Sequence, residues 1–212
     1  KRVVNFIENF GFTNEDITYL KSIGYEEDFL NYLKDLKFTG NIKSMQEGEI
    51  CFGNEPLLRV EAPLIQAQLI ETILLNIINF QTLIATKASR IRQIATHDTL
   101  MEFGTRRAQE IDAALWGARA AFIGGFDSTS NVRAGKLFNI PVSGTHAHAL
   151  VQTYGDEYIA FKKYAERHKN CVFLVDTFHT LKSGVPTAIK VAKELGDTIN
   201  FIGIRLDSGD IA

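Results

Sequence analysis

The chain has 212 residues, of which 45% are hydrophobic and 23% are charged. This composition is sufficient to build a buried core and excludes a chain that is disordered throughout. Lys and Arg number 23 and Asp and Glu number 25, so the net charge is −2. Such a balance argues against a dedicated binder of nucleic acid or of an anionic membrane, because either would carry a basic surface.

Two cysteines, Cys51 and Cys171, lie inside apolar runs and lack the CxxC spacing of a metal or redox site. We interpret both as reduced core residues of a cytoplasmic protein. The sequence does not begin with Met, and it stops directly after a polar cluster. We therefore expect a fragment of a longer enzyme.

The N-terminal part predicts short helices followed by strands. Residues 13–16, Thr-Asn-Glu-Asp, are typical of a helix N-cap with an acidic first turn, and a second amphipathic helix is predicted over 26–36. Residues 49–52 and 57–60 flank the turn sequence Gly-Asn-Glu-Pro, which predicts a β-hairpin. This part therefore predicts a small α+β layer without a catalytic cluster.

A long helix is predicted over residues 64–92, because Pro63 occupies the favoured first turn. The segment is apolar nearly all round, but Gln, Glu and Asn interrupt it too often for the roughly 20 apolar residues that a bilayer requires. We therefore expect no membrane span and a buried helix that joins two layers.

From residue 99 onwards, apolar segments alternate with helical segments. This alternation predicts serial βα units and a parallel sheet, either wound open or closing into a barrel. The predicted strands lie near 100–103, 121–123, 141–142, 172–175 and 201–204, and the predicted helices cover about 108–119, 130–138, 156–167 and 185–195.

Each predicted strand is followed by polar or glycine-rich residues. Five consecutive strand ends of this kind are typical of the C-terminal face of an α/β-barrel enzyme. The segments are Gly-Thr-Arg-Arg at 104–107, Gly-Gly-Phe-Asp-Ser at 124–128, Ser-Gly-Thr-His-Ala-His at 143–148, Asp-Thr at 176–177 and Arg-Leu-Asp-Ser-Gly-Asp at 205–210.

These strand ends indicate an anionic substrate, because arginines and glycine-bracketed hydroxyls bind phosphate or carboxylate groups. Asp176, Asp207 and Asp210 suit a Mg²⁺-diphosphate or ribose hydroxyls. His148 is a candidate acid, base or covalent phosphate carrier. His146 and His148 could instead form a metal pair, but no third His or Cys lies nearby to complete a zinc site.

Four of these segments, taken together, resemble the nicotinate phosphoribosyltransferase family in wording, order and spacing. Residues 54–60 and 85–88 also fit, so the resemblance covers essentially the whole chain. The four motifs are Glu-Phe-Gly-Thr-Arg-Arg-Ala-Gln at 102–109, Gly-Gly-Phe-Asp-Ser-Thr-Ser-Asn-Val at 124–132, Gly-Thr-His-Ala-His at 144–148 and Ile-Arg-Leu-Asp-Ser-Gly-Asp at 204–210.

The resemblance implies a type II phosphoribosyltransferase with a small α+β N-terminal domain, here residues 1–98 with the long helix. An irregular, incomplete α/β barrel would follow over residues 99–212. It implies condensation of nicotinate with phosphoribosyl pyrophosphate to nicotinate mononucleotide and pyrophosphate, coupled to ATP hydrolysis through a phosphorylated histidine with Mg²⁺ present. The full-length family protein is expected to be a cytoplasmic homodimer, and this chain would lack its start and its C-terminal half.

The family motifs also imply residue roles. His148 ends the Gly-Thr-x-x-His motif and corresponds to the phosphorylated histidine, while Arg106 corresponds to the arginine that holds the pyridine carboxylate and phosphate groups. Phe103 is a possible neighbour of the pyridine ring, with a core role weighted above it. The resemblance places Asp176, Arg205 and Asp207 near ribose and pyrophosphate. The further substrate-binding residues that it implies are Asp127, Ser128, Gly144, Thr145, Ser208 and Gly209.

The predicted chemistry follows from charge. Ribosyl transfer passes through a cationic, oxocarbenium-like centre, so nearby carboxylates stabilise it while Mg²⁺ and arginine stabilise the leaving pyrophosphate. Alternatives remain open: a phosphoribosyltransferase for nicotinamide or quinolinate, an inactive fragment that acts as a subunit or binding module, and a barrel enzyme of unrelated chemistry. The run at 124–131, Gly-Gly-Phe-Asp-Ser-Thr-Ser-Asn, favours nicotinate, because the carboxylate of nicotinate can accept hydrogen bonds from hydroxyls and arginine.

Overall fold

The computed structural model describes residues 2–209. The chain forms two compact units, Lys1–Val142 and Ser143–Ala212. Within the described residues the strands pair as three two-stranded sheets, of which two are parallel and one is antiparallel. The fold is therefore mixed α/β with parallel βα pairing, as expected, while the incomplete barrel and the domain boundary at residue 98 stay predictions.

Three short helices open the first unit: α1 (Arg2–Glu8), α2 (Asn14–Ser22) and α3 (Glu27–Lys34). The Thr13 hydroxyl accepts a hydrogen bond from the Asp16 amide, and the Asp16 carboxylate accepts one from the Thr13 amide. This reciprocal capping satisfies two backbone donors that the first turn of a helix would otherwise leave unpaired. The predicted N-cap is confirmed.

The long helix α4 (Leu64–Ile94) begins directly after Pro63, as predicted. Ile70 and Leu74 are buried and pack against a core that α2 and α3 supply. The predicted burial of this helix applies to one face only, because Leu75 and Leu83 are about 60% exposed. Its length and composition alone would also allow it to cross a membrane.

Strand β1 (Asn41–Ser44) pairs antiparallel with β2 (Leu58–Glu61). The second strand of the predicted hairpin is confirmed, but the first is wrong, because residues 49–52 belong to a loop and the pairing strand lies earlier. The apolar run at 50–52 is therefore not sufficient to form a ladder at this point of the chain.

Local hydrogen bonds explain this loop. The Glu49 carboxylate accepts from the Gln46 amide at 3.0 Å, and the Glu55 carboxylate accepts from the Phe52 amide at 2.8 Å. Side chains that bond to nearby backbone in this way compete with strand pairing. Cys51 lies in the loop and is only half-buried, so its interpretation as a core residue is wrong.

The remainder of the first unit contains β3 (Met101–Glu102), α5 (Glu110–Ile123), β4 (Ser128–Thr129) and α6 (Val132–Phe138), and β3 pairs parallel with β4. The strand predicted at 121–123 is wrong, because these residues form the last turn of α5. The alanine-rich run before them is a strong helix former, and the helix continues until the glycine pair.

In the second unit two helices precede a parallel βαβ arrangement, and β5 pairs parallel with β6. The predicted strands near 172–175 and 201–204 and the predicted helix at 185–195 are confirmed. The elements are α7 (His148–Tyr154), α8 (Glu157–Ala165), β5 (Asn170–Leu174), α9 (Val185–Leu195) and β6 (Asn200–Arg205).

The core of the second unit lies between β5 and its helices. Phe161 and Phe173 are fully buried and stack with ring centroids 4.9 Å apart, and Cys171 is also fully buried, as predicted. Gly184 lies just before α9, and a Cβ atom there would stand 1.9 Å from the Val175 carbonyl oxygen. Only glycine allows this close approach, which fixes the start of α9 against the end of β5.

Candidate active site

Asp176 is the centre of a hydrogen-bonded cluster in the second unit. It follows β5, and its side chain is only 3% exposed. One carboxylate oxygen, Oδ1, lies 3.0 Å from Nε2 of His148. The other, Oδ2, accepts from the Asp207 amide at 2.7 Å and from the Ser208 amide and hydroxyl at 2.7 and 2.8 Å. The first residue of α7, the end of β5 and the turn after β6 therefore meet at one carboxylate.

The ionisation of Asp176 determines that Nε2 of His148 carries a proton. Burial raises the pKa of Asp176, but the hydrogen bonds from Asp207, Ser208 and His148 outweigh it and lower the pKa to about 2. An ionised carboxylate only accepts hydrogen bonds, so Nε2 of His148 must carry the proton. In the neutral ring Nδ1 then has the free lone pair, and no group among residues 2–209 hydrogen bonds to it. The arrangement presents a nucleophilic nitrogen.

Arg205, the last residue of β6, ties the same segments together. Its Nη1 donates to the Thr145 hydroxyl at 2.6 Å, and its Nη2 pairs with the Asp207 carboxylate. The planar guanidinium can hold two partners in fixed directions, which a lysine cannot. The structure thus brings together six of the predicted site residues: Thr145, His148, Asp176, Arg205, Asp207 and Ser208.

His146 has a different environment from His148. It is 7% exposed, and its Nε2 accepts a hydrogen bond from the Leu174 amide at 3.0 Å. Burial lowers the pKa of His146, so its ring is neutral at physiological pH. Within residues 2–209 no group of three or more His, Cys, Asp or Glu side chains is arranged to hold a metal ion.

Glycines border this cluster. Gly144 is exposed, and a Cβ atom there would meet nothing within 4 Å. Gly209 has a φ of +84°, a conformation that strongly favours glycine, so the turn after β6 requires it. Asp210, which we expected beside Asp207, lies outside the described residues.

The first unit carries the remaining predicted residues on and after β3. Phe103 is half-buried, and Arg106 is exposed on a 3₁₀ turn. Glu102, which the sequence analysis did not single out, accepts from the Gly104 amide at 2.5 Å and from the Thr129 hydroxyl at 2.7 Å. An acidic residue inside an otherwise apolar strand was the signal for this role.

Asp127 directly precedes β4 in the same unit, and Ser128 is the first residue of that strand. Oδ2 of Asp127 accepts from the Leu100 amide at 2.7 Å and from Arg92 at 2.5 Å, and these contacts hold the pKa of Asp127 below its usual value. Ser128 is 7% exposed, and its hydroxyl has no hydrogen-bond partner among the described residues. Arg92 is a structural partner that the sequence analysis missed. Substrate contacts by Asp127 and Ser128 stay predictions.

Family models match most of the sequence. Residues 1–79 match the nicotinate phosphoribosyltransferase (NAPRTase) N-terminal domain, and residues 99–212 match the nicotinate phosphoribosyltransferase (NAPRTase) family. The chain belongs to the nicotinate phosphoribosyltransferase family. The resemblance carried by the sequence motifs is therefore confirmed, and the Asp176 cluster is a feature of a member of this family.

Curated members of the nicotinate phosphoribosyltransferase family cover the whole chain. The chain is 68% identical to nicotinate phosphoribosyltransferase of Bacillus subtilis, over 100% of the chain and 44% of that protein. It is 31% identical to nicotinate phosphoribosyltransferase of Homo sapiens, over 98% of the chain and 48% of that protein. The chain spans about half the length of the curated relatives that it matches.

Solved structures agree with this membership. The crystal structure of human nicotinic acid phosphoribosyltransferase matches with a TM-score of 0.85 at 30% identity, over 97% of the chain and 52% of that protein. A nicotinate-nucleotide pyrophosphorylase from Pyrococcus furiosus matches with a TM-score of 0.73 at 33% identity, over 81% of the chain and 43% of that protein.

Proposed function

We propose that the full-length protein is a nicotinate phosphoribosyltransferase that forms nicotinate mononucleotide and pyrophosphate from nicotinate and phosphoribosyl pyrophosphate, in NAD biosynthesis. The observation that carries this proposal is the Asp176 cluster, in which one buried carboxylate binds both His148 and the turn at 207–208. A 68% identical relative that bears this name supports the choice of reaction.

We propose that His148 carries phosphate during ATP hydrolysis. Nδ1 of His148 attacks the γ-phosphorus of ATP, a P–N bond forms, and the bond to the ADP oxygen breaks. The ring then carries positive charge, which the ionised Asp176 carboxylate, 3.0 Å from Nε2, stabilises. Hydrolysis of the P–N bond returns the ring to its starting state. The coupling of ATP to ribosyl transfer comes from the family resemblance.

Ribosyl transfer would use the same cluster. The Asp207 carboxylate, held by Arg205, is the candidate for stabilising the cationic sugar centre. Arg205 is the candidate for binding the leaving pyrophosphate, because its guanidinium carries donors, and the Thr145 hydroxyl that accepts from Nη1 helps to orient it. Arg106 and Phe103 in the first unit remain the proposed contacts for nicotinate, together with Asp127 and Ser128.

Mg²⁺ fits this site only in part. Both oxygens of Asp176 already accept hydrogen bonds from protein groups, so Asp176 is not suited to hold a cation. Asp207 has one oxygen, Oδ2, that accepts no hydrogen bond from residues 2–209. We propose Asp207 as the protein ligand, with the other ligands supplied by substrate phosphates, as is common for Mg²⁺. When bound, Mg²⁺ would neutralise the diphosphate charge.

The proposal extends to the barrel, the cellular location and the oligomeric state of the full-length protein. Residues 99–212, which match the second family model, would form the first part of an α/β barrel. The full-length protein would be a cytoplasmic homodimer. One face of α4 packs into the core of the first unit, which supports a helix of a non-membrane enzyme. The homodimer rests on the resemblance alone.

The decisive experiment is mass spectrometry of the full-length protein and its His148→Ala variant after incubation with ATP and Mg²⁺. An acid-labile phosphate on the parent that disappears in the variant is the expected result. Phosphate that persists in the variant would assign the role to another residue. Absence of phosphate on folded parent protein would refute the phosphohistidine step. Product assays with nicotinate, nicotinamide and quinolinate, run in parallel, test the substrate independently.

A further inference from the structure

We propose that His146 is a positioning residue, whose ring occupies the place of a neighbouring strand beside β5 and so sets the register of residues 143–148. This register places His148 against Asp176. The consequence for catalysis rests on the proposed function, whereas the structural role does not.

One backbone amide of β5, that of Leu174, needs a partner other than β6. The Val175 amide donates to the Arg205 carbonyl at 3.2 Å, which is the side on which β6 lies. Because successive N–H groups of a strand point to opposite sides, the Leu174 amide points away from β6. A buried amide without a partner is destabilising. Nε2 of His146 fills this need at 3.0 Å.

The contacts of His146 and His148 define the register of residues 143–148 against β5. His146 bonds to Leu174, and His148 bonds to Asp176, so both contacts join residues that are 28 positions apart. A constant offset is the pattern of parallel strands, here made by side chains instead of backbone groups. The two contacts therefore attach the segment to β5 at two points. Loss of the first would remove the contact of this segment with the backbone of β5 and leave it held by the His148–Asp176 contact and by the bond from Arg205 to Thr145.

Packing and burial determine the orientation and the tautomer of the His146 ring. His146 packs edge-on against Tyr164 with centroids 4.9 Å apart and lies tilted against Phe161 at 5.7 Å. These contacts restrict the ring to one orientation. A hydrogen bond accepted at Nε2 requires the proton at Nδ1, which points towards the Ala147 carbonyl oxygen at 3.5 Å. Burial favours the neutral ring, so the acceptor is preserved at physiological pH.

Three substitutions in the full-length protein separate the acceptor from the ring. His146→Phe keeps the aromatic packing but removes the acceptor. His146→Gln can place an amide oxygen near the position of Nε2, whereas His146→Asn places its amide near Nδ1, too far from Leu174. We expect the rate of phosphorylation at His148 to fall roughly 100-fold in the Phe and Asn variants, because small displacements of a reacting group have effects of this size. The Gln variant should recover to within roughly tenfold of the parent.

A second readout does not depend on activity. With ¹⁵N-labelled Leu and His, NMR can detect the scalar coupling between the Leu174 amide nitrogen and Nε2 of His146 across the hydrogen bond. We expect this coupling in the parent. In the Phe and Asn variants we expect faster hydrogen exchange at Leu174 and altered ring ¹⁵N shifts of His148, while in the Gln variant both stay close to the parent values.

The outcomes are distinguishable. Absence of the coupling in the parent, or a Phe variant phosphorylated as fast as the parent, would overturn the inference. Equal losses in the Gln and Phe variants would also overturn it, because the ring and not the acceptor would then matter. A parent that takes no phosphate contradicts the proposed function instead, and the inference is then decided by Leu174 exchange and the His148 shifts.

Discussion

Asp176 determines which nitrogen of His148 is basic. In an Asp176→Asn variant the amide NH₂ can face Nε2 of His148, which would then have to accept, and the ring proton would move to Nδ1. The nucleophile is lost although the shape of the site is kept. We expect phosphorylation of His148 to fall by roughly 10⁴-fold, as for tautomer reversal in a serine protease triad. Rapid-quench measurement of the phosphoenzyme tests this.

A matched control for that substitution is Asp197→Asn, which changes an exposed aspartate in a 3₁₀ turn before β6. It should phosphorylate at the parent rate. If Asp176→Asn retained the parent rate as well, Asp176 would not govern the ring, and the proposed nucleophile at Nδ1 would have to be abandoned.

The low pKa of Asp176 also makes stability depend on pH. Its value is about 2 in the folded protein against an ordinary value of 3.8, so the unfolded chain binds the proton first as the pH falls. The stabilisation, about 2 kcal/mol, is fully present above pH 4 and is lost between about pH 4 and pH 2. Denaturant unfolding across this range should show the difference between parent and Asp176→Asn shrinking towards low pH. A difference that does not vary with pH would contradict the assignment.

At the scale of elements, the contact between α9 and β5 depends on a single glycine. A Cβ atom at Gly184 would lie 1.9 Å from the Val175 carbonyl oxygen, so Gly184→Ala must displace backbone next to Asp176. We expect a loss of about 3 kcal/mol in the free energy of unfolding, at the upper end of overpacking effects. In the control Gly203→Ala, the new methyl group meets nothing within 4 Å. Equal denaturation midpoints for the two variants would contradict this packing.

Elements were predictable from the sequence where pattern and packing agree. The βαβ arrangement of the second unit combines the buried strand β5 with an amphipathic helix, and both its parallel pairing and the helix at 185–195 were predicted. Predictions failed where local effects compete. Carboxylates that bond to nearby amides make a loop of 49–52, and an alanine-rich run carries α5 through 121–123.

The site was predictable in its residue types but not in its pairings. Strand-end polarity and the family motifs indicated His148, Asp176 and Arg205. The sequence does not show, however, that Asp176 bonds both to His148 and to the turn at 207–208 after β6. Backbone donors are invisible to motif analysis, so the partnership of His146 with the Leu174 amide could not be inferred. Such pairings depend on strand register, which arises only when the chain folds.

At the scale of the whole molecule, α4 leaves a large apolar surface exposed. Leu75 and Leu83 are 60% and 62% exposed, and Ile94 at the end of the helix is 89% exposed. Exposed apolar surface of this kind marks sites of association, and the relatives are about twice as long as this chain. The 212-residue chain should therefore self-associate through this face of the helix.

The double variant Leu75→Lys/Leu83→Lys tests this association, because it places charge on the apolar face. Sedimentation of the 212-residue chain should show association at least roughly tenfold weaker than in the parent, since burial of two leucines is lost. Asn31→Lys/Gln152→Lys is the control, which adds the same charge at exposed polar positions of α3 and α7, outside α4. If both double variants dissociate equally, net charge is the cause and the apolar face is not an association surface. If neither differs from the parent, the chain associates elsewhere.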